Sequence, residues 1–279
     1  MSHTITQTDI DGYCASLLAD ERAAGTIAKY RRDLTAFARW LDTQCATKET
    51  AAAWKAHLLN SRYAPRTINS MLAALNGFFR FMGWNIKVKF LKIQRQLFRD
   101  TSRELTRAEY DRLLTTARAS KQERLALIME TLCATGIRIS ELRYITVEAA
   151  RAGRTTIALK GKIRTILLST KLCRKLLKYA KKQKVAAGEI FLTSSGKSIS
   201  RRQVWYELKR LCKAAGVQSS KVFPHNFRHL FATTFYKACK DIARLADVLG
   251  HSNIETTRIY LTVSGEEQAR QLDLLGLVV

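Results

Sequence analysis

The sequence predicts a mainly helical protein in two parts: a helical N-terminal domain, then a mostly helical domain that carries a small antiparallel sheet. Three observations lead there. Apolar residues recur at three- and four-residue spacing on both sides of residue 100, the mark of helices with one buried face. Alternation at period two is confined to one short stretch near residues 155–167. The 279 residues contain only two prolines, the residue that helix interiors exclude. A chain of this length with 47% apolar residues can bury two cores.

In the N-terminal third, Thr26, Tyr30, Leu34, Phe37 and Leu41 mark one helical face, and Ile68, Met71, Leu72, Leu75, Phe78, Phe79 and Met82 mark another. Pro65 stands where a first helical turn accepts proline. The pattern fails between Asn85 and Arg103, so residues 1–84 are expected to form the first domain, 85–103 a linker and 104–279 the second domain. Thr106 and Glu109 form a capping box that restarts a helix running to Ala119, and Arg124 to Thr135 is the next. Thr155, Ile157 and Leu159 alternate, and Ile163, Ile166 and Leu167 follow across Lys160-Gly161-Lys162. This reads as two strands and a tight turn. Helices resume from Lys171. One is expected to begin near Pro224. Another, through Ala243, Leu245, Ala246 and Leu249, should end at Gly250 with a left-handed cap, after which Ser252 and Glu255 box the start of a further helix toward Tyr260.

The charge is one-sided. There are 48 Lys and Arg against 23 Asp and Glu, a net charge of +25, which points to a polyanionic partner. Residues 51–99 hold nine basic side chains and no acidic one, and residues 151–184 hold twelve and none. From these runs Lys55, Arg62, Arg66, Arg80, Lys87, Lys89, Lys162 and Arg164 are candidate DNA contacts. No apolar stretch reaches the roughly 18 residues of a membrane span, and no leader pattern opens the chain. A soluble, cytoplasmic protein is therefore expected. Six cysteines without a Cys-x-x-Cys pair suggest reduced, mostly buried thiols.

Four segments carry chemistry: Ala134-Thr-Gly-Ile-Arg138-Ile-Ser-Glu141-Leu, Leu159-Lys160-Gly-Lys-Ile-Arg164, Pro224-His225-Asn-Phe-Arg228-His229, and Leu249-Gly-His251-Ser-Asn-Ile-Glu-Thr-Thr-Arg-Ile-Tyr260. In this order they resemble the tyrosine recombinase, or phage integrase, family, over residues 105 to 262, with a Xer-like simple recombinase as the nearest type. The helical, basic N-terminal part is similar to that family's core-binding domain.

The resemblance implies that Arg138 and Arg228 clamp the scissile phosphate. Charge accumulates on its non-bridging oxygens, and a planar, permanently charged guanidinium can pair with two of them. His225, three residues before Arg228, shares a helical face with it and takes a hydrogen-bonding or proton-transfer role. His251 would bond a non-bridging oxygen, Glu141 would brace the site, and Lys160 would protonate the leaving 5′-oxygen, with Lys162 two residues away keeping that register open. Tyr260 would be the nucleophile. A phenol ionises near pH 10, so its attack needs the positive setting that the arginines and histidines supply. Covalent capture conserves the phosphodiester's energy. No cofactor is expected, and no phosphate-binding loop for ATP is found. His225 and His229 share the four-residue spacing of a helical zinc site, but Asn226 replaces the glutamate that zinc hydrolases use there, so no metal is expected.

The expected partner is double-stranded DNA with short inverted half-sites, bound by a homo-oligomer, a tetramer by family resemblance. The last nineteen residues end in Leu272, Leu274, Leu275, Leu277, Val278 and Val279, a tail that either docks on a neighbouring protomer or covers its own domain. Two alternatives stay open at this level: a type IB topoisomerase-like nicking-closing enzyme, and a catalytically silent DNA-binding accessory protein.

Overall fold

The computed structural model describes residues 3–94, 101–159, 162–260, 270 and 273–275. The chain divides into two compact units, 1–95 and 96–279.

The first unit holds α1 (Gln7–Ala19), α2 (Ala24–Leu41), α3 (Lys48–Asn60) and α4 (Pro65–Phe81). Thr6 caps α1, and Asp9 reaches back to the Thr6 N–H; Thr47 and Thr50 do the same for α3. Pro65 opens α4 in its first turn, as expected. Ile10, Leu34, Phe37, Leu58, Ile68, Leu72, Leu75, Phe78 and Phe79 are buried together, so the two apolar faces read from the sequence meet in one core.

Within the expected linker, Ile86, Val88 and Leu91 pack on this unit. Ile86 and Val88 are buried in its core. Two side-chain amides of α4 bracket the extended backbone. Asn76 Oδ1 accepts the Val88 N–H while its Nδ2 donates to the Val88 carbonyl, both at 2.9 Å. Asn69 treats Leu91 the same way, at 2.8 and 2.9 Å. The spacing is commensurate: seven helical residues rise about 10.5 Å and three extended residues about 10 Å. Each asparagine thus supplies the two hydrogen bonds of a strand partner, and Lys87 and Lys89 alternate outward.

The second unit begins its helices with α5 (Arg107–Ala119), where Thr106 and Glu109 form the expected capping box. Next is α6 (Glu123–Thr135). Leu125 through Met129, Thr131 and Leu132 are all buried, the pattern of a helix enclosed on every side. Its two threonines satisfy their hydroxyls on Leu127 O and Thr131 O. The helix ends at Gly136, whose φ of +63° is left-handed and whose missing β-carbon makes room for the Phe231 ring.

A 3₁₀ segment (Ile139–Tyr144) and α7 (Val147–Ala152) lead to β1 (Arg154–Leu159) and β2 (Lys162–Leu167), an antiparallel pair with Leu159 opposite Lys162. The strands stand where alternation placed them. Thr155, Ile157 and Ile166 face the core, whereas Ile163 and Leu167 are exposed. Then come α8 (Thr170–Lys182), α9 (Arg201–Ala215), α10 (Pro224–Cys239), α11 (Ile242–Leu249) and the single turn α12 (Glu255–Arg258). Gly250 caps α11 in the left-handed conformation, as expected. The start of α12 differs from expectation: Ile254 is its N-cap, and Asn253 Oδ1 accepts the Glu255 N–H at 2.8 Å.

Cys14, Cys173 and Cys212 are buried, Cys45 and Cys133 half-buried and Cys239 exposed, all as free thiols. Among the described residues no helix is long and apolar enough to cross a membrane.

Candidate active site

The site is built where α6, α10 and α11 end or begin. A helix leaves its last carbonyls without partners inside the helix and carries partial negative charge there. Arg228, in the second turn of α10, fills that need for two helices at once. Its Nη1 donates to the Gly136 carbonyl beyond α6, and its Nη2 donates to the Leu249 carbonyl of α11 at 2.7 Å and lies 2.9 Å from His251 Nε2. The residue is 2% exposed. Burial, then repulsion from Arg138, lowers its pKa to about 10, while the neighbouring Tyr260 acts in the opposite direction. It remains a cation at neutral pH.

Arg138 follows Gly136 by two residues, and the left-handed cap turns the chain so that Ile137 enters the core while Arg138 faces out. Glu141, 2% exposed, accepts from the Arg138 backbone N–H at 2.6 Å and from its Nη1 at 3.1 Å. The same carboxylate receives Arg164 Nη2 at 2.5 Å. Burying a carboxylate is costly unless donors surround its oxygens, as these three do. The Arg138 side chain is 44% exposed, so its guanidinium is braced on one side and open on the other.

Arg164 does not stand where its charge alone would place it. Expected to contact DNA, it crosses from β2 into the protein, joining Glu141 to the Val248 carbonyl of α11 at 3.1 Å. Desolvation lowers its pKa, opposed by Glu141. It ties the hairpin to the end of α11.

His251 leaves α11 by the turn at Gly250, its N–H bonded to the Ala246 carbonyl. Its Nδ1 lies 2.9 Å from Thr257 Oγ1, and Thr257 is fully buried. Desolvation first, then the charges of Arg228, Arg138 and Arg164, lower its pKa to about 4. His225 is the more exposed of the two histidines. Partial desolvation and then Arg228 and Arg138 lower its pKa.

Tyr260 is 3% exposed. Its ring stacks on His251 with centroids 6.2 Å apart and meets His229 edge-on at 5.1 Å, inside an apolar nest of Ala232, Leu245 and Leu249. His229 Nε2 is also 3.9 Å from Glu104 Oε1, so the two histidines one turn apart on α10 face different partners. Asn226, between them, is buried and donates to the Arg103 and Lys221 carbonyls, anchoring the start of α10. Among the described residues no group of three His, Cys, Asp or Glu side chains is placed to hold a metal ion.

Of the sequence-derived site residues, Arg138, Glu141, His225, Arg228, His251 and Tyr260 converge on one place. Lys160 lies outside the described residues, and Lys162 is described in its backbone alone. Of the N-terminal basic residues, Arg62, Arg66, Arg80, Lys87 and Lys89 are exposed, while Lys55 is half-buried with its Nζ on the Lys89 carbonyl. Leu274 and Leu275 of the tail are exposed; Leu272, Leu277, Val278 and Val279 lie outside the described residues. Sequence reasoning missed Gly136 as the acceptor for Arg228 and Thr257 as the partner of His251. The first was signalled only by a glycine after a helix, the second by nothing beyond its three-residue distance from Tyr260.

Residues 103–267 match the phage integrase family, and residues 10–85 match the N-terminal SAM-like domain of phage integrases. The chain is 32% identical to the tyrosine recombinase XerA of Thermococcus kodakarensis over 237 residues, 82% of each chain. It is 31% identical to the tyrosine recombinase XerC of Roseiflexus castenholzii over 275 residues, 89% of this chain and 87% of that one. Among solved structures, the XerH site-specific recombinase bound to palindromic difH substrate, in a post-cleavage complex, matches with a TM-score of 0.74 at 18% identity. That match covers 97% of this chain and 85% of that one.

Proposed function

Because the chain belongs to the phage integrase family, the tyrosine-type site-specific recombinases, we propose that Tyr260 is its nucleophile and that Arg138, Lys160, His225, Arg228 and His251, with Glu141 in support, form its catalytic set. The chain is a site-specific DNA recombinase. The observation that supports this assignment of roles is the convergence of Arg228 and Tyr260 on His251, within electrostatic reach of Arg138 and His225.

Tyr260 Oη attacks the scissile phosphorus. A bond forms between the phenolic oxygen and phosphorus while the bond from phosphorus to the 5′-oxygen breaks. The products are a 3′-phosphotyrosyl enzyme and a 5′-hydroxyl, which takes its proton from Lys160. Arg138 and Arg228 neutralise the charge gathering on the non-bridging oxygens, where fixed donors act most strongly. His251 adds a hydrogen bond, and His225 takes the proton that the Tyr260 phenol loses on attack. A 5′-hydroxyl from a second strand reverses the step, so the bond energy is kept and no nucleotide is consumed. With Tyr260 3% exposed in the DNA-free protein, attack requires its hydroxyl to emerge as the duplex docks.

Residues 1–84 would bind the duplex and 104–279 cleave it. Arg62, Arg66, Arg80, Lys87 and Lys89, with Lys55 and Lys162, would contact phosphates, giving salt-dependent affinity. In this reading the protein acts in the cytoplasm as a tetramer on paired inverted half-sites, with the C-terminal tail exchanged between protomers.

Arg138→Lys and Arg228→Lys test the assignment. Each keeps the charge that long-range DNA attraction needs and loses the guanidinium fork. Both should bind a duplex carrying the site and lose strand cleavage by about 100-fold or more, the scale of removing one preorganised donor. Variants that cleave normally would overturn the clamp.

A further inference from the structure

His251 sits between two partners of different kinds. Its Nε2 is 2.9 Å from Arg228 Nη2 and its Nδ1 2.9 Å from Thr257 Oγ1. A guanidinium has five N–H donors and no acceptor. Nε2 therefore presents its lone pair to Arg228, and the ring's proton resides on Nδ1, donated to the Thr257 hydroxyl. Thr257 is fully buried, and its backbone carbonyl accepts the Tyr260 N–H at 3.0 Å. One residue thus holds the imidazole by its side chain and the tyrosine by its main chain.

We propose that Thr257 is a positioning residue for strand cleavage, its hydroxyl holding the His251 ring through a change of tautomer when the scissile phosphate arrives. The proposal rests on the reading of His251 as a phosphate ligand. To bond a phosphate oxygen, Nε2 must carry a hydrogen, which it does not carry while it accepts from Arg228. A hydroxyl both donates and accepts. Thr257 Oγ1 accepts from Nδ1–H in the DNA-free protein and turns to donate to Nδ1 once the ring's proton is on Nε2. Arg228 then has a donor released toward the same phosphate. A side chain that only accepts or only donates would favour one of the two tautomers, and an apolar one would leave a buried ring nitrogen without a partner. The hydroxyl of a threonine is small enough to serve inside the core between α11 and α12.

The test uses the full chain with 15N-labelled histidine and a nicked duplex built from DNA flanking its own gene. In the DNA-free protein the nitrogen shifts of His251 should report the Nδ1–H tautomer; an Nε2–H tautomer would overturn the proposal. Thr257→Ser should form the covalent adduct within about threefold of the native rate. Thr257→Val, close in shape but without the hydroxyl, should be slowed about tenfold or more, the kinetic worth of one net hydrogen bond, with duplex binding unchanged. Native cleavage by Thr257→Val would overturn it. If Thr257→Val failed to fold, the tautomer of the native protein and the rate of Thr257→Ser would still decide, since loss of cleavage in Thr257→Ser contradicts a role for the hydroxyl alone. His251→Ala separates the two layers. Undiminished cleavage there refutes the reading of His251, and Thr257 with it, whereas a slow His251→Ala beside a normal Thr257→Val refutes Thr257 alone.

Discussion

The Arg164 side chain lies across Gly250: a β-carbon at Gly250 would stand 2.5 Å from Arg164 Cδ and 2.8 Å from its Nη1. Gly250 also has φ +67°, where L side chains are disfavoured. Gly250→Ala should therefore destabilise the protein by about 2–4 kcal/mol, conformational strain and overpacking together. In an Arg164→Ala background the steric part disappears and the cost should fall to about 1–2 kcal/mol. Urea unfolding of the four proteins measures the coupling, and strictly additive effects would show that the two residues do not meet.

Glu141 is the shared acceptor of Arg138 and Arg164. Glu141→Ala leaves two guanidiniums facing a buried gap and should cost about 3–5 kcal/mol, the scale of breaking a buried ion pair from one side. Glu141→Gln keeps an oxygen for the Arg138 N–H and should cost less. Both should slow cleavage at temperatures where they remain folded, because Arg138 loses its brace. Unfolding midpoints and adduct formation, measured on the same samples, check this pair of outcomes.

Acid should weaken the DNA-free protein through its site histidines. The pKa of His251 falls from an ordinary 6.5 to about 4 on folding, and that of His225 falls too. A lowered folded pKa means the unfolded chain binds more protons in between, so stability is complete above about pH 6.5 and is lost as the pH drops toward about 4. Besides desolvation, the described groups that act on His251 are Arg228, Arg138, Arg164 and His225, and each lowers its pKa. The stability gap between the native protein and His251→Gln should shrink from pH 7.5 to pH 4.5. A gap unchanged with pH would contradict it.

Local chemistry was the legible part of this chain. Thr106 with Glu109, Pro65 and Gly250 act on backbone within a few residues, and each appears where spacing put it. The strand pair was equally plain, but alternation does not say which face is inward, and Ile163 and Leu167 lie outside while Ile166 lies inside. What escaped depends on partners far along the chain. The charge of Arg164 reads as a DNA contact until Glu141, 23 residues earlier, and Val248, 84 residues later, are brought beside it. Residues 85–94 have no helical period, and their attachment rests on Asn69 and Asn76, which look like ordinary polar positions of α4. In the site, the motif spacing nominated Arg138, His225, Arg228, His251 and Tyr260, whose catalytic roles are proposed. It could not show that Arg228 and Tyr260 are closed off from solvent.

The central claim is covalent capture of DNA by Tyr260. A nicked duplex carrying the site lets the broken end diffuse away and traps the intermediate. The native chain should yield a protein–DNA adduct that survives denaturant, with the phosphate mapped to the peptide containing Tyr260. Tyr260→Phe should bind the duplex and form none; an adduct formed by the Phe variant, or one mapped to another residue, would contradict the account.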